Sequence, residues 1–239
     1  MMGTTMPEPR EGKDYGRVAA VMPALNEAES LRRLLPELAR FGLGQIIVGD
    51  NGSTDETARV VQENGGILAH EPRRGYGAAC WAAMQKLGDD IEVVLFLDAD
   101  SSDDLTHLPD LVEPILRNEA DLVIATRDAP TVEKGALSRQ QRFGNWLATC
   151  LIHSRWGFRY RDLGPFRAIG RQALERINMR DRAFGWTVEM QIRALQEHLR
   201  IKQTSVHYKR RIGRSKIGGT LCGSIRAGYW ILTTIARHW

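Results

Sequence analysis

The chain is poor in cysteine, with Cys80, Cys150 and Cys222 as its full complement. They lie far apart and form no metal or redox spacing, which excludes a disulfide scaffold and a zinc cluster and points to reduced thiols in the cytoplasm. No apolar run is long enough to cross a bilayer. A secretory leader is not expected either: residues 1–16 are largely polar, carry Pro7, Pro9 and Gly12, and read as a flexible tail. Acidic residues stop at Glu197, while Lys202, Lys209, Arg210, Arg211, Arg214, Lys216, Arg226 and Arg237 follow. A one-sign end favours an anionic partner, either a phosphate, an anionic membrane or nucleic acid. Aromatic residues make up 7% and are not interleaved with the basic ones, so no nucleic-acid motif supports the last of these.

What remains is ordinary for a globular chain of 239 residues, with 43% hydrophobic and 26% charged residues and a net charge of +4. Short apolar runs alternate with helical periodicity, which implies an α/β domain with a mostly parallel, doubly wound sheet. Expected strands are 17–22, 45–48, 67–70, 93–97, 122–125 and 200–207, with another entered from Asp162-Leu163-Gly164-Pro165-Phe166-Arg167. Helices are expected from Leu31 to Leu38, from Glu56 to Asn64, from Gly75 to about Leu87, and near Leu108 to Asn118. A long amphipathic segment over 135–156 and helices over 187–198 and 220–237 follow. In the terminal helix Leu221, Ile225, Tyr229, Leu232 and Ile235 share one stripe, so it could dock on the domain, form a homodimer, or lie in a membrane interface.

The run Val93-Val94-Leu95-Phe96-Leu97 ends in Asp98-Ala99-Asp100. A buried strand that delivers two carboxylates to its carboxyl end places them where open α/β sheets bind ligands. Successive residues point to opposite faces of a strand, so the pair converges only if the chain turns, and Ser101-Ser102-Asp103-Asp104 supplies a turn. The pair could hold a hard divalent cation completed by water and phosphate oxygens. Equally, Asp103 or Asp104 could simply cap the next helix.

Pro23-Ala24-Leu25-Asn26-Glu27 follows the first strand, and Asp50-Asn51-Gly52-Ser53-Thr54-Asp55 follows the second. With Asp98-Ala99-Asp100 in third place, the chain resembles family 2 glycosyltransferases of the GT-A fold over roughly Val18 to Gly219. The resemblance is closest to the dolichyl- and polyprenyl-phosphate sugar synthases. It implies a GT-A domain over 17–219, Rossmann-like, followed by an amphipathic helix over 220–239. It also implies an inverting transfer from a UDP- or GDP-sugar to a polyprenyl phosphate, dependent on Mg2+ or Mn2+. Transfer to a soluble hydroxyl acceptor is the alternative, with nucleotidyl transfer and a non-catalytic anion-binding module behind it. The implied placement is cytoplasmic, with peripheral contact at the inner face of the membrane.

By the same resemblance Pro23, Ala24, Asn26, Glu27, Asp50 and Ser53 line the nucleotide pocket, and Gly75 belongs to a glycine-rich turn beside it. Asp98, Ala99 and Asp100 form the DxD motif, with Asp98 and Asp100 as metal ligands. Arg211, Ser215 and Lys216 match a segment that contacts the acceptor phosphate, where Arg127 and Arg142 are also expected, a plain salt-bridge role being the alternative for either. Glu189 stands where the family carries an acidic residue on a helix facing the reaction centre. It would be the general base for a hydroxyl acceptor; for an ionised phosphate it would orient other groups or be structural.

Overall fold

The computed structural model describes residues 15–127, 132–212 and 221–239, with the backbone alone over 221–227. Seven strands form one sheet: β1 (Val18–Ala24), β2 (Gln45–Asp50), β3 (Ile67–His70), β4 (Val93–Phe96), β5 (Leu122–Thr126), β6 (Arg167–Gly170) and β7 (Ile201–Ser205). Their order is β3-β2-β1-β4-β6-β5-β7. β6 runs antiparallel to both neighbours and every other pairing is parallel.

The strands are apolar on both sides because both faces are covered. Val18, Ala20 and Met22 of β1, with Val93 and Leu95 of β4, join one core against α1 (Ala28–Ala39), α2 (Thr57–Glu63) and α4 (Leu108–Leu116). The alternate residues Ala19, Val21, Val94 and Phe96 face the other core. That core is completed by α3 (Tyr76–Met84), α5 (Arg139–Trp156), α6 (Arg171–Ile177) and α7 (Trp186–Gln196). α8 (Leu221–His238) packs on α5 and α7, burying Thr234 and Ile235.

Boundaries shift at several places. α3 ends at Met84, short of Leu87, and β7 is shorter than 200–207. α5 starts at Arg139, where Ser138 and Gln141 form a reciprocal capping box, and it ends at Gly157 with φ of 74°. α6 has no counterpart in the sequence reading. It is seven residues long, too short for periodicity to register. Tyr15 is buried and its hydroxyl donates to Glu113 Oε1 at 3.1 Å, so the packed domain includes the last two residues read as tail.

Candidate active site

The carboxyl ends of β1, β2 and β4 lie side by side at the middle of the sheet, and the loops leaving them are bonded together. Asn26 takes a left-handed backbone, φ 53°, which asparagine tolerates better than most residues. Its Oδ1 accepts the amide of Thr54 at 2.7 Å, while its own amide donates to Ser53 Oγ at 2.8 Å. The Glu27 amide donates to Thr57 Oγ1 at 3.0 Å. Asp50, buried at the end of β2, accepts the Ser53 amide at 3.0 Å on Oδ1 and has His70 Nδ1 3.4 Å from Oδ2. Asn51 ties this loop to the next: its side-chain amide donates to Glu71 O and Arg73 O, and its Oδ1 accepts the Gly75 amide at 2.7 Å.

Gly75 and Gly77 open α3 against the 181–183 loop. The amides of Gly77 and Ala78 donate to Ala183 O and Arg182 O, both at 2.9 Å. A Cβ at Gly75 would overlap Arg182 O, and one at Gly77 would overlap Asp181 O, so glycine is required by close backbone approach. The Arg182 guanidinium lies over the Trp81 ring, 4.5 Å from its centroid.

The acid pair is held by its own turn. The Asp98 amide donates to Asp103 Oδ2 at 3.1 Å, and Asp98 Oδ1 accepts the Tyr76 hydroxyl at 3.1 Å. Asp100 Oδ1 accepts both the amide and the hydroxyl of Ser102. Asp100 Oδ2 lies 3.3 Å from Arg211, which also sits 3.3 Å from Glu27 Oε1. The segment carrying Arg211 lies across this turn, with Lys209 N donating to Ser102 O and Ile212 N to Asp100 O, each at 2.9 Å. Asp104 caps the short turn that follows by accepting from Thr106.

Burial, reinforced by the charge of Asp100, pushes the Asp98 carboxyl up to about 7. Burial likewise raises Asp103, with Asp98 and Asp100 adding to the effect. Arg211 offsets part of the charge of Asp100, and a divalent cation fits the carboxylates left in excess at this turn. Among the described residues no group of three or more His, Cys, Asp or Glu could hold a metal alone. A cation at Asp98 and Asp100 would therefore complete its shell with water and phosphate oxygens, the coordination habit of Mg2+.

The model of glycosyl transferase family 2 matches residues 19–181. The chain belongs to this family. An uncharacterized glycosyltransferase of Mycobacterium tuberculosis is 35% identical over 211 residues, spanning 88% of this chain and 94% of the relative. The UDP-N-acetylglucosamine–dolichyl-phosphate N-acetylglucosaminyltransferase of Methanococcus voltae is 24% identical over 189 residues, spanning 68% of this chain and 73% of that one. Among solved structures, glucosyl-3-phosphoglycerate synthase of M. tuberculosis, complexed with Mn2+, UDP and glucosyl-3-phosphoglycerate, superposes with a TM-score of 0.75 at 20% identity. That match covers 92% of this chain and 79% of the synthase and places the chain in the same fold, GT-A.

In this glycosyltransferase Pro23, Ala24, Asn26, Glu27, Asp50, Ser53, Gly75, Asp98, Ala99 and Asp100 fall on one connected set of loops at the sheet's carboxyl edge. The other expected residues distribute differently. Arg127 forms a bidentate pair with Asp162, at 2.6 and 2.8 Å, and lies over the Tyr208 ring. Its guanidinium is engaged in the domain wall, the salt-bridge alternative. Arg142 is exposed on α5. Arg211 meets the acids of the donor side, Asp100 and Glu27. Ser215 and Lys216 lie outside the described residues. Glu189 is buried, and its carboxylate accepts the backbone amides of Arg180 and Asp181. That arrangement fixes the loop packed on α3, the structural alternative.

Tyr76, Asn51, Asp103 and Asp162 were not singled out as functional from sequence. Tyr76 stands inside the glycine-rich opening of α3 and Asp103 inside the acidic turn, so proximity was a signal for both. Asp162 opens the Asp162-Leu163-Gly164-Pro165-Phe166-Arg167 segment, but nothing local pairs it with Arg127, 35 residues away.

Proposed function

We propose that this enzyme transfers a sugar, with inversion, from a UDP-sugar to the phosphate of a polyprenyl phosphate. The observation that carries the donor half is the acid turn 98–104 set beside the Asp50 loop at the sheet's carboxyl edge, the ligand edge of open α/β sheets. Uridine is preferred because the M. voltae relative uses UDP-N-acetylglucosamine and the M. tuberculosis synthase binds UDP-glucose. On this reading Asp50 and its loop hold the nucleotide, and the Asn51–Gly75 bond sets the start of α3 beside it. A divalent cation at Asp98 and Asp100 would neutralise charge developing on the leaving diphosphate.

An acceptor oxygen attacks the anomeric carbon, the bond from that carbon to the diphosphate oxygen breaks, and its electron pair leaves with UDP. Glu189 has its oxygens engaged by backbone amides, which favours an acceptor that arrives already ionised, as a phosphate does. The dolichyl-phosphate specificity of the M. voltae relative supports the same acceptor class.

The test is release of UDP from UDP-sugars supplied with Mn2+ and polyprenyl phosphate, with labelled sugar followed into the organic phase. Asp100→Asn is expected to lower transfer at least about a hundredfold while the protein stays folded. Label that stays in the aqueous phase overturns the lipid acceptor, and undiminished transfer by Asp100→Asn overturns the role of the acid pair.

A further inference from the structure

The large exposed apolar side chains of the described residues are Phe143, Trp146, Tyr229, Leu232 and Trp239, between 42% and 63% exposed. They lie on two helices that pack against each other, α5 and α8, or just past the end of α8. On α5, Phe143, Trp146 and Cys150 follow i, i+3, i+7 spacing on the solvent side, opposite buried Ala148 and Ile152. On α8, Tyr229, Leu232 and Ala236 repeat that spacing opposite buried Thr234 and Ile235. The two helix ends are joined: Trp156 meets Trp239 edge-on at 6.3 Å, and Arg155 donates to Trp239 O. A soluble monomer usually leaves apolar residues scattered singly; two adjacent stripes form a patch.

The charge carried by the two helices has one sign. α5 carries Arg139, Arg142 and Arg155, α8 carries Arg226 and Arg237, and neither helix contains a single Asp or Glu. We infer that the α5/α8 face docks on an anionic phospholipid surface, its aromatic and leucine side chains entering the headgroup boundary and its arginines meeting lipid phosphates. A second copy of the chain is the poorer occupant. A two-fold interface through these helices would set arginines against arginines with no carboxylate on either helix to offset them. Tryptophan, tyrosine and arginine are suited to a bilayer boundary, where an apolar body and a polar or charged tip can both be satisfied.

The inward sides of the same two helices reach the active site through short connections. Asn145 of α5 accepts the Leu163 amide next to Asp162, and Thr234 of α8 donates to Asp181 in the loop that covers the start of α3. Docking by α5 and α8 would thus hold the catalytic edge beside the membrane. The inference does not rest on the identity of the acceptor.

Co-sedimentation of the full chain with vesicles decides it, using phosphatidylcholine alone and phosphatidylcholine mixed with phosphatidylglycerol. Binding is expected to the mixed vesicles only and to weaken as salt is raised. Trp146→Ser combined with Leu232→Ser should weaken it about tenfold or more, and Arg237→Glu about fivefold or more. Thermal melts accompany each variant. If the double variant fails to fold, Arg237→Glu and Phe143→Gln read the same face one residue at a time. Absence of sedimentation with the mixed vesicles at low salt, or equal binding to neutral vesicles, overturns the inference. So does a lipid-free dimer that the double variant dissociates, or binding to duplex DNA in place of vesicles.

Discussion

Asp162 offers the sharpest perturbation of the wall beside the site. Its carboxylate accepts the amides of Arg127 and Leu163 at 2.9 and 2.8 Å and the guanidinium of Arg127 at 2.6 and 2.8 Å. The two side chains are 15% and 4% exposed, so solvent screens the pair weakly. Removing one partner of such a pair strands the other charge and costs about 3–5 kcal/mol. Asp162→Asn keeps a carbonyl oxygen for one amide, which puts it at the lower end, about 3 kcal/mol, or a Tm lower by roughly 10 °C for a domain of this size. The Arg127 charge and the hydrogen bonds to Asp162 hold its pKa below the usual carboxylate value, against the effect of burial. A depressed folded pKa gives stability that is complete above the unfolded value and is lost as pH falls through the folded one. The stability gap between wild type and Asp162→Asn should therefore be full at neutral pH and close progressively below about pH 4. Urea unfolding across pH measures it, and a double-mutant cycle with Arg127→Met isolates the pair. A folded Asp162→Asn within about 0.5 kcal/mol of wild type at pH 7 would refute the buried-pair reasoning and return Arg127 to the list of free acceptor-binding groups.

Glu189→Gln should lower stability by about 1–2 kcal/mol, since its oxygens serve two backbone amides, yet reduce kcat less than about tenfold and leave the pH–rate profile in place. Loss of the profile's acidic limb would instead identify it as the general base. Gly77→Ala should weaken sugar-nucleotide binding and destabilise the fold by about 1–3 kcal/mol, because the new methyl meets Asp181 O; unchanged melting and unchanged affinity would show that the loop yields. Asn51→Ala breaks the bonds that join the Asp50 loop to Arg73 O and Gly75 N, so KM for the donor should rise more than kcat falls. Steady-state kinetics separates the two.

The sheet's first half was legible because its signals are local. β1 and β4 are continuous apolar runs, β1 passing through Pro23 to Ala24 before Leu25-Asn26-Glu27 and β4 leading to Asp98-Ala99-Asp100, and parallel strands alternating with helices leave few topologies open. The antiparallel direction of β6 was not legible, since it depends on how the chain returns from α5 through the turn at Gly164-Pro165. At the site, loop identity could be read but pairing could not. Arg127 and Arg142 look alike in sequence; one is locked to Asp162 and the other is exposed, a difference set by contacts across long separations. Arg211 was expected at the acceptor, yet its guanidinium meets Asp100 and Glu27, because the segment after β7 crosses back over the acidic turn. The exposed stripes of α5 and α8 were half visible: the period of α8 was clear, but the structure splits its expected stripe, burying Ile235 and exposing Tyr229 and Leu232, and the pairing with Phe143 and Trp146 required the packing of the two helices.

The central claim is that Asp98 and Asp100 bind a sugar nucleotide through a divalent cation. Calorimetric titration of the full chain with UDP-, GDP- and dTDP-sugars, each with and without Mn2+, tests it most directly. Binding of the UDP-sugar is expected in the presence of Mn2+, lost when the metal is withheld or when Asp98 is changed to Asn. Binding that is indifferent to the metal, or no binding by a folded sample, would contradict it.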